Sequence, residues 1–80
     1  MSGKKILLVE DEAAIREMTA MALERVGFST IEAENVQQAE RLLSDDLPDL
    51  ILLDWMLPGG SGVELARRLR RDEVTREVPI

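Results

Sequence analysis

Leu50-Ile51-Leu52-Leu53-Asp54 is the stretch on which the fold turns. Four apolar residues in unbroken succession leave no polar side for water. A run this short suits a strand buried on both faces, as in a parallel sheet. Its end is a carboxylate, Asp54, and a charge closing a doubly buried strand needs a partner or water. Upstream stands a run of the same kind, Ile6-Leu7-Leu8-Val9, which ends in Glu10-Asp11-Glu12.

Between the two runs the pattern alternates. From Glu12 to Val26 the spacing is helical, with Ile15, Met18, Ala22 and Val26 close to one face, and Gly27 is a natural stop. Ile15 and Met18 read as core residues. Phe28 to Ala33 reads as a strand, and its Ser29, Thr30 and Glu32 suit a sheet edge. Asn35 is a helix N-cap with Gln38 placed for a reciprocal bond, and Val36, Ala39 and Leu43 share the inner face of that helix. Pro48, within the segment Ser44 to Asp49, breaks it. Beyond Asp54, Pro58-Gly59-Gly60 is turn chemistry. Ser61 and Glu64 form a capping pair for a helix from about Gly62 to Asp72, with Leu65, Ala66 and Leu69 inward and the arginines from Arg67 to Arg71 solvated. Val78-Pro79-Ile80 begins a further strand.

Strand and helix therefore alternate three times, which implies a parallel sheet with right-handed crossovers. The two apolar strands should be neighbours, with the polar one outside, giving the order 2-1-3. In such a sheet, ligands sit beyond the carboxyl ends of the strands, where the strand order reverses. That point lies between the first and third strands, so Glu10, Asp11 and Asp54 should meet. Packed anions repel, so one takes up a proton or a cation binds. Oxygen ligands without His or Cys select Mg²⁺. The plainer alternative makes Asp11 a helix cap and Glu12 a dipole partner. For Trp55, packing is the simpler reading.

Composition narrows the function. The chain has 80 residues, a net charge of -6, no cysteine and no histidine. A disulfide framework, a Cys/His zinc site and a His-containing triad are excluded, and the charge argues against this segment gripping nucleic acid. No apolar run approaches a membrane span, and Met1 to Lys5 lead directly into a strand, unlike a secretory signal. A cytoplasmic protein is expected. A nucleotide site would need a glycine-rich turn where Glu10-Asp11-Glu12 stands. An aspartyl-nucleophile phosphohydrolase typically carries a second Asp two positions after the first, where this chain has Met56. A non-phosphorylated binding module is the remaining rival.

Ile6 to Glu12 resembles the opening of two-component response-regulator receiver domains, and Asp49 to Gly59, followed by Gly62, resembles their phosphoacceptor segment. Trp55 and the run Glu12 to Met18 are most similar to phosphate-regulon regulators of the winged-helix class. The resemblance spans the chain and implies a flavodoxin-like, three-layer, doubly wound α/β receiver fold. It implies Asp54 as phosphoacceptor from a sensor histidine kinase. It implies Mg²⁺ ligation by Asp11, Asp54 and the Met56 backbone carbonyl, with Glu10 acting through water. Pro58 and Gly59 would form the phosphate loop, and Ile15 and Met18 would lie near the kinase-docking face. The resemblance further implies a non-enzymatic phosphoacceptor truncated before strands 4 and 5. Residues 1–80 would be the N-terminal part of a receiver, without the family's DNA-binding domain. An open strand edge would then invite self-association.

Overall fold

The computed structural model describes residues 3–54, 57 and 61–80. The chain runs β1 (Lys5–Val9), α1 (Ala13–Arg25), β2 (Ser29–Ala33), α2 (Val36–Asp45), β3 (Leu50–Leu53) and α3 (Ser61–Arg71). The three strands are parallel in the order β2-β1-β3. Leu7 of the central strand stands between Ile31 and Ile51. Helices cover both faces of the sheet, as the doubly wound reading requires.

Alternation along the strands sorts the side chains. Leu7, Val9, Ala33 and Ile51 point into a core shared with Val36, Ala39 and Leu43 of α2 and Leu65 and Leu69 of α3. Ile6 and Leu8, next to them in sequence, are buried on the opposite face with Ala20 of α1. The apolar run of β1 is thus buried on both sides, whereas in β3 only Ile51 is fully buried and Leu50, Leu52 and Leu53 are half-buried.

The N-cap of α2 and the glycine stop of α1 follow the sequence. Asn35 accepts a bond from the Gln38 amide at 2.8 Å, and the Gln38 side chain accepts from the Glu34 amide at 2.7 Å. Gly27 follows the last turn of α1 with φ 102°, a conformation that disfavours a Cβ. Helix α3 starts at Ser61, so this residue opens the helix instead of preceding it. Strand β2 starts at Ser29, leaving Phe28 outside it.

A larger departure concerns α1. Ile15 and Met18 are not core: they are 46% and 65% exposed, and Val26 is 71% exposed. Ala22 is exposed too. The inner face of α1 is instead Arg16, Thr19, Ala20 and Leu23. Two polar bridges hold that orientation: Arg16 Nε lies 3.4 Å from Glu32 Oε1, and Thr30 donates to Glu24 at 2.7 Å. Both partners on β2 project from the face that α1 covers.

The outer edge of β3 is met by the Val78 to Ile80 segment, which is not the further strand that the sequence suggests. The Ile51 amide donates to the Pro79 carbonyl at 2.9 Å, and Val78 is buried against the core. Proline lacks an N–H but keeps its acceptor, so it can serve at this edge.

Candidate phosphoacceptor and cation site

Two strands deliver the site. Beyond the end of β1, the Glu10 amide still donates to the Ala33 carbonyl of β2 at 3.0 Å. Beyond the end of β3, the Asp54 amide donates to the Val9 carbonyl at 3.1 Å. The sheet ladder therefore continues into both acidic residues and fixes their backbones side by side. Asp11 follows on the turn that enters α1.

The three acids converge as the topology requires. Glu10, Asp11 and Asp54 each offer one carboxylate oxygen, and these atoms lie within 4.8 Å of one another. Glu10 and Asp54 are half-buried and Asp11 is exposed. The Glu12 amide donates to Glu10 Oε2 at 3.0 Å, which favours the charged form of Glu10. Partial burial and the nearby Asp54 and Asp11 charges outweigh that bond, so the Glu10 carboxyl titrates above its ordinary value. Crowded anions made entirely of hard oxygen donors fit a Mg²⁺-type ion better than a soft metal.

The plain reading of Asp11 loses its support here. The N-cap position of α1 is Glu12, and its side chain makes no capping bond. Asp11 is not held as a helix cap; it faces the other acids and a cavity of about 430 Å³. Asn35, Gln37, Leu57, Ser61 and Arg68 also line that cavity. A larger hollow of about 620 Å³ lies elsewhere, between α3 and Ile80, beside Arg67, Arg70 and Arg71. Among the described residues it gathers no carboxylate side chains, so its size does not make it the site.

Trp55, Met56, Pro58 and Gly59 lie outside the described residues, so the expected backbone ligand and phosphate loop are not part of this geometry. Ile15 and Met18 stand exposed on α1, where a partner could reach them. Arg16 was not singled out as a site residue by the sequence reading. Its guanidinium donates to the Glu10 carbonyl at 2.8 Å from the inner face of α1. Its signal was only positional: a cation one helical turn beyond the acid triplet.

Comparison with known proteins identifies the family and the fold. The model of the family described as response regulator receiver domain matches residues 6–80. The chain is 65% identical over 80 residues to the phosphate regulon transcriptional regulatory protein PhoB of Pseudomonas aeruginosa, covering 100% of this chain and 35% of that protein. It is 52% identical over 78 residues to PhoB of Escherichia coli, covering 98% of this chain and 34% of that one. The chain thus spans about a third of the length of these curated relatives. Among solved structures, the N-terminal domain of a response regulator receiver protein from Methanoculleus marisnigri superposes with a TM-score of 0.91 at 35% identity, over 98% of this chain and 63% of that one. The response regulator TrrA from Thermotoga maritima, solved in complex with Mg(2+)-BeF, gives a TM-score of 0.82 at 37% identity, over 89% of this chain and 62% of that one. With a family match across nearly the whole chain and the same fold in its solved relatives, this chain belongs to the response regulator receiver domain family.

Proposed function

We propose that Asp54 is the phosphoacceptor of a two-component receiver and takes its phosphoryl group from the phosphohistidine of a sensor histidine kinase. The observation that carries this reading is the meeting of Glu10, Asp11 and Asp54 at the carboxyl ends of β1 and β3. Asp54 attacks phosphorus, a P–O bond forms, the P–N bond to histidine breaks, and the leaving imidazole takes up a proton. The ladder bond from the Asp54 amide to Val9 holds the attacking residue at the strand end. The half-buried setting limits water around it.

Mg²⁺ would be held by Asp11, Asp54 and the Met56 carbonyl, with Glu10 acting through water. Such an ion supplies charge neutralisation for the transferred group. In TrrA the complex contains Mg(2+)-BeF, which supports the same cofactor class here. Pro58 and Gly59 would form the loop around the phosphoryl group. Ile15 and Met18, both exposed, fit the kinase-docking role.

Residues 1–80 are read as the N-terminal part of a receiver, consistent with the share of its solved relatives that the chain spans. The likeness to PhoB supports transcriptional control of phosphate-starvation genes by the parent protein. DNA contact would then belong to a domain outside these residues. The role is that of a phosphoacceptor that assists its own modification, not a turnover enzyme; Met56 stands where a phosphohydrolase would carry its second acid. A cytoplasmic location follows from this reading. No helix among the described residues is long and apolar enough to cross a membrane.

The test is transfer from a phosphorylated histidine kinase in Mg²⁺, followed by intact mass. Wild type should gain one phosphoryl group and Asp54→Asn none, with Asp11→Asn strongly slowed. Equal modification of wild type and Asp54→Asn would refute the assignment.

A further inference from the structure

We propose that Arg16 is a positioning residue for the acidic site: it holds the Glu10 carbonyl and so fixes the turn that aims Glu10 and Asp11 at Asp54. The inference rests on the cation and phosphoacceptor reading given above. It adds a residue that touches neither cation nor phosphoryl group.

Glu10-Asp11-Glu12 places three acids in succession on one short turn. Their mutual repulsion favours opening that turn, so convergence needs restraint from the backbone. The Glu10 amide is held by the sheet through Ala33, and the Glu12 amide folds back onto the Glu10 carboxylate. The Glu10 carbonyl is held by Arg16 Nη1 at 2.8 Å, in a part-buried bond. A charged donor on a shielded carbonyl makes a stronger bond than a neutral one.

Arg16 is itself held in place. Its backbone amide donates to the Glu12 carbonyl at 2.8 Å, in the first turn of α1. Its Nε lies 3.4 Å from Glu32 Oε1 on β2, and its side chain is only 16% exposed. One planar fork thus serves a carbonyl on the acid turn and a carboxylate on the edge strand. A lysine has one nitrogen on a flexible stem and matches two such acceptors poorly. A continuous set of contacts therefore runs from the exposed side of β2, through Arg16, to the carbonyl between Glu10 and Asp11. Glu32 orients the fork, and the fork orients the acids.

The experiment uses the 80-residue chain with Mg²⁺ as the probe. Fluorescence of Trp55, the sole tryptophan, reads cation binding, and carbon NMR of the Glu10 carbonyl reads the Arg16 bond without metal. Arg16→Met keeps the apolar stem and removes the fork. It should weaken Mg²⁺ binding by about 10- to 100-fold, the usual loss when a group that orients metal ligands is removed. The Glu10 carbonyl resonance should move in the same variant. Arg16→Lys should fall between wild type and Arg16→Met. Glu32→Gln, a change on an edge strand, should weaken binding less, and the double variant with Arg16→Met should bind no worse than Arg16→Met alone.

Wild-type affinity in Arg16→Met, with binding abolished by Asp54→Ala, would overturn this inference and leave the phosphoacceptor reading standing. Identical curves for wild type and Asp54→Ala would overturn that reading and this inference with it. Should Arg16→Met fail to fold, an unchanged affinity and carbonyl resonance in both Arg16→Lys and Glu32→Gln would overturn the inference.

Discussion

The two faces of the sheet are built from different chemistry. Toward α2 and α3, Leu7, Val9, Ala33 and Ile51 meet Val36, Ala39, Leu43, Leu65 and Leu69 in one apolar cluster. Toward α1, the fully buried apolar residues among those described are Ile6, Leu8 and Ala20, and the helix is joined to β2 by Arg16–Glu32 and Thr30–Glu24. The apolar face supplies cohesion, which depends on area and has no direction. The bridged face supplies direction, because a charged fork or a hydroxyl fixes an angle. The acid turn leaves β1 and enters α1, so the directional face is the one that sets the site.

Breaking the cohesive face should have the largest effect. Ile51→Ala removes a fully buried side chain at the centre of the cluster, a change that costs about 2–5 kcal/mol. An 80-residue chain has little stability to lose, so urea melts should show the variant largely unfolded. Met18→Ala on the exposed side of α1 should change the melt by less than about 0.5 kcal/mol. Equal losses for the two variants would erase the distinction between the faces.

A smaller effect concerns association. Leu50 and Leu52 are only half-buried on the α1 side, and among the described residues the outer edge of β3 meets the short Val78 to Ile80 segment. Exposed apolar strand edges favour pairing with another chain. Light scattering should rise with concentration, and Leu52→Lys should suppress the rise, since an edge lysine resists pairing. A wild-type chain that stays monomeric across the range would show that the Pro79 contact is cover enough.

The smallest effect is electrostatic. Glu10 titrates above its ordinary value in the fold, so folding disfavours its charged form relative to the unfolded chain. The stability linked to this group is full below the ordinary glutamate range and is lost as pH rises through the raised value. Glu10→Gln should therefore raise the melting temperature slightly near neutral pH, with the gain vanishing in acid. A loss of stability near neutral pH that instead faded in acid would mean that the Glu12 amide bond dominates over Asp54 and Asp11.

The same two faces explain what the sequence could and could not disclose. Leu50 to Asp54 and Ile6 to Asp11 carry fold and site together, because an all-apolar strand ended by a carboxylate leaves little choice of position or partner. Strand order, helix order and the meeting of Glu10, Asp11 and Asp54 were legible from those two runs. The orientation of α1 was not. Its sequence, AAIREMTAMALER, places apolar residues on nearly every side, so spacing alone cannot choose the buried face. The choice falls to Arg16 and Glu24, whose partners on β2 become apparent only when the strand is in place. Reading Ile15 and Met18 as core followed the hydrophobic pattern and missed the polar bridges.

The most direct measurement of the central claim is the position of the phosphoryl group. The chain is phosphorylated by a histidine kinase in Mg²⁺ and then reduced with borohydride, which converts an aspartyl phosphate to homoserine. Peptide mapping should place homoserine at position 54 and leave Asp11 intact. Homoserine at position 11, or modification outside the Glu10, Asp11 and Asp54 cluster, would contradict the account.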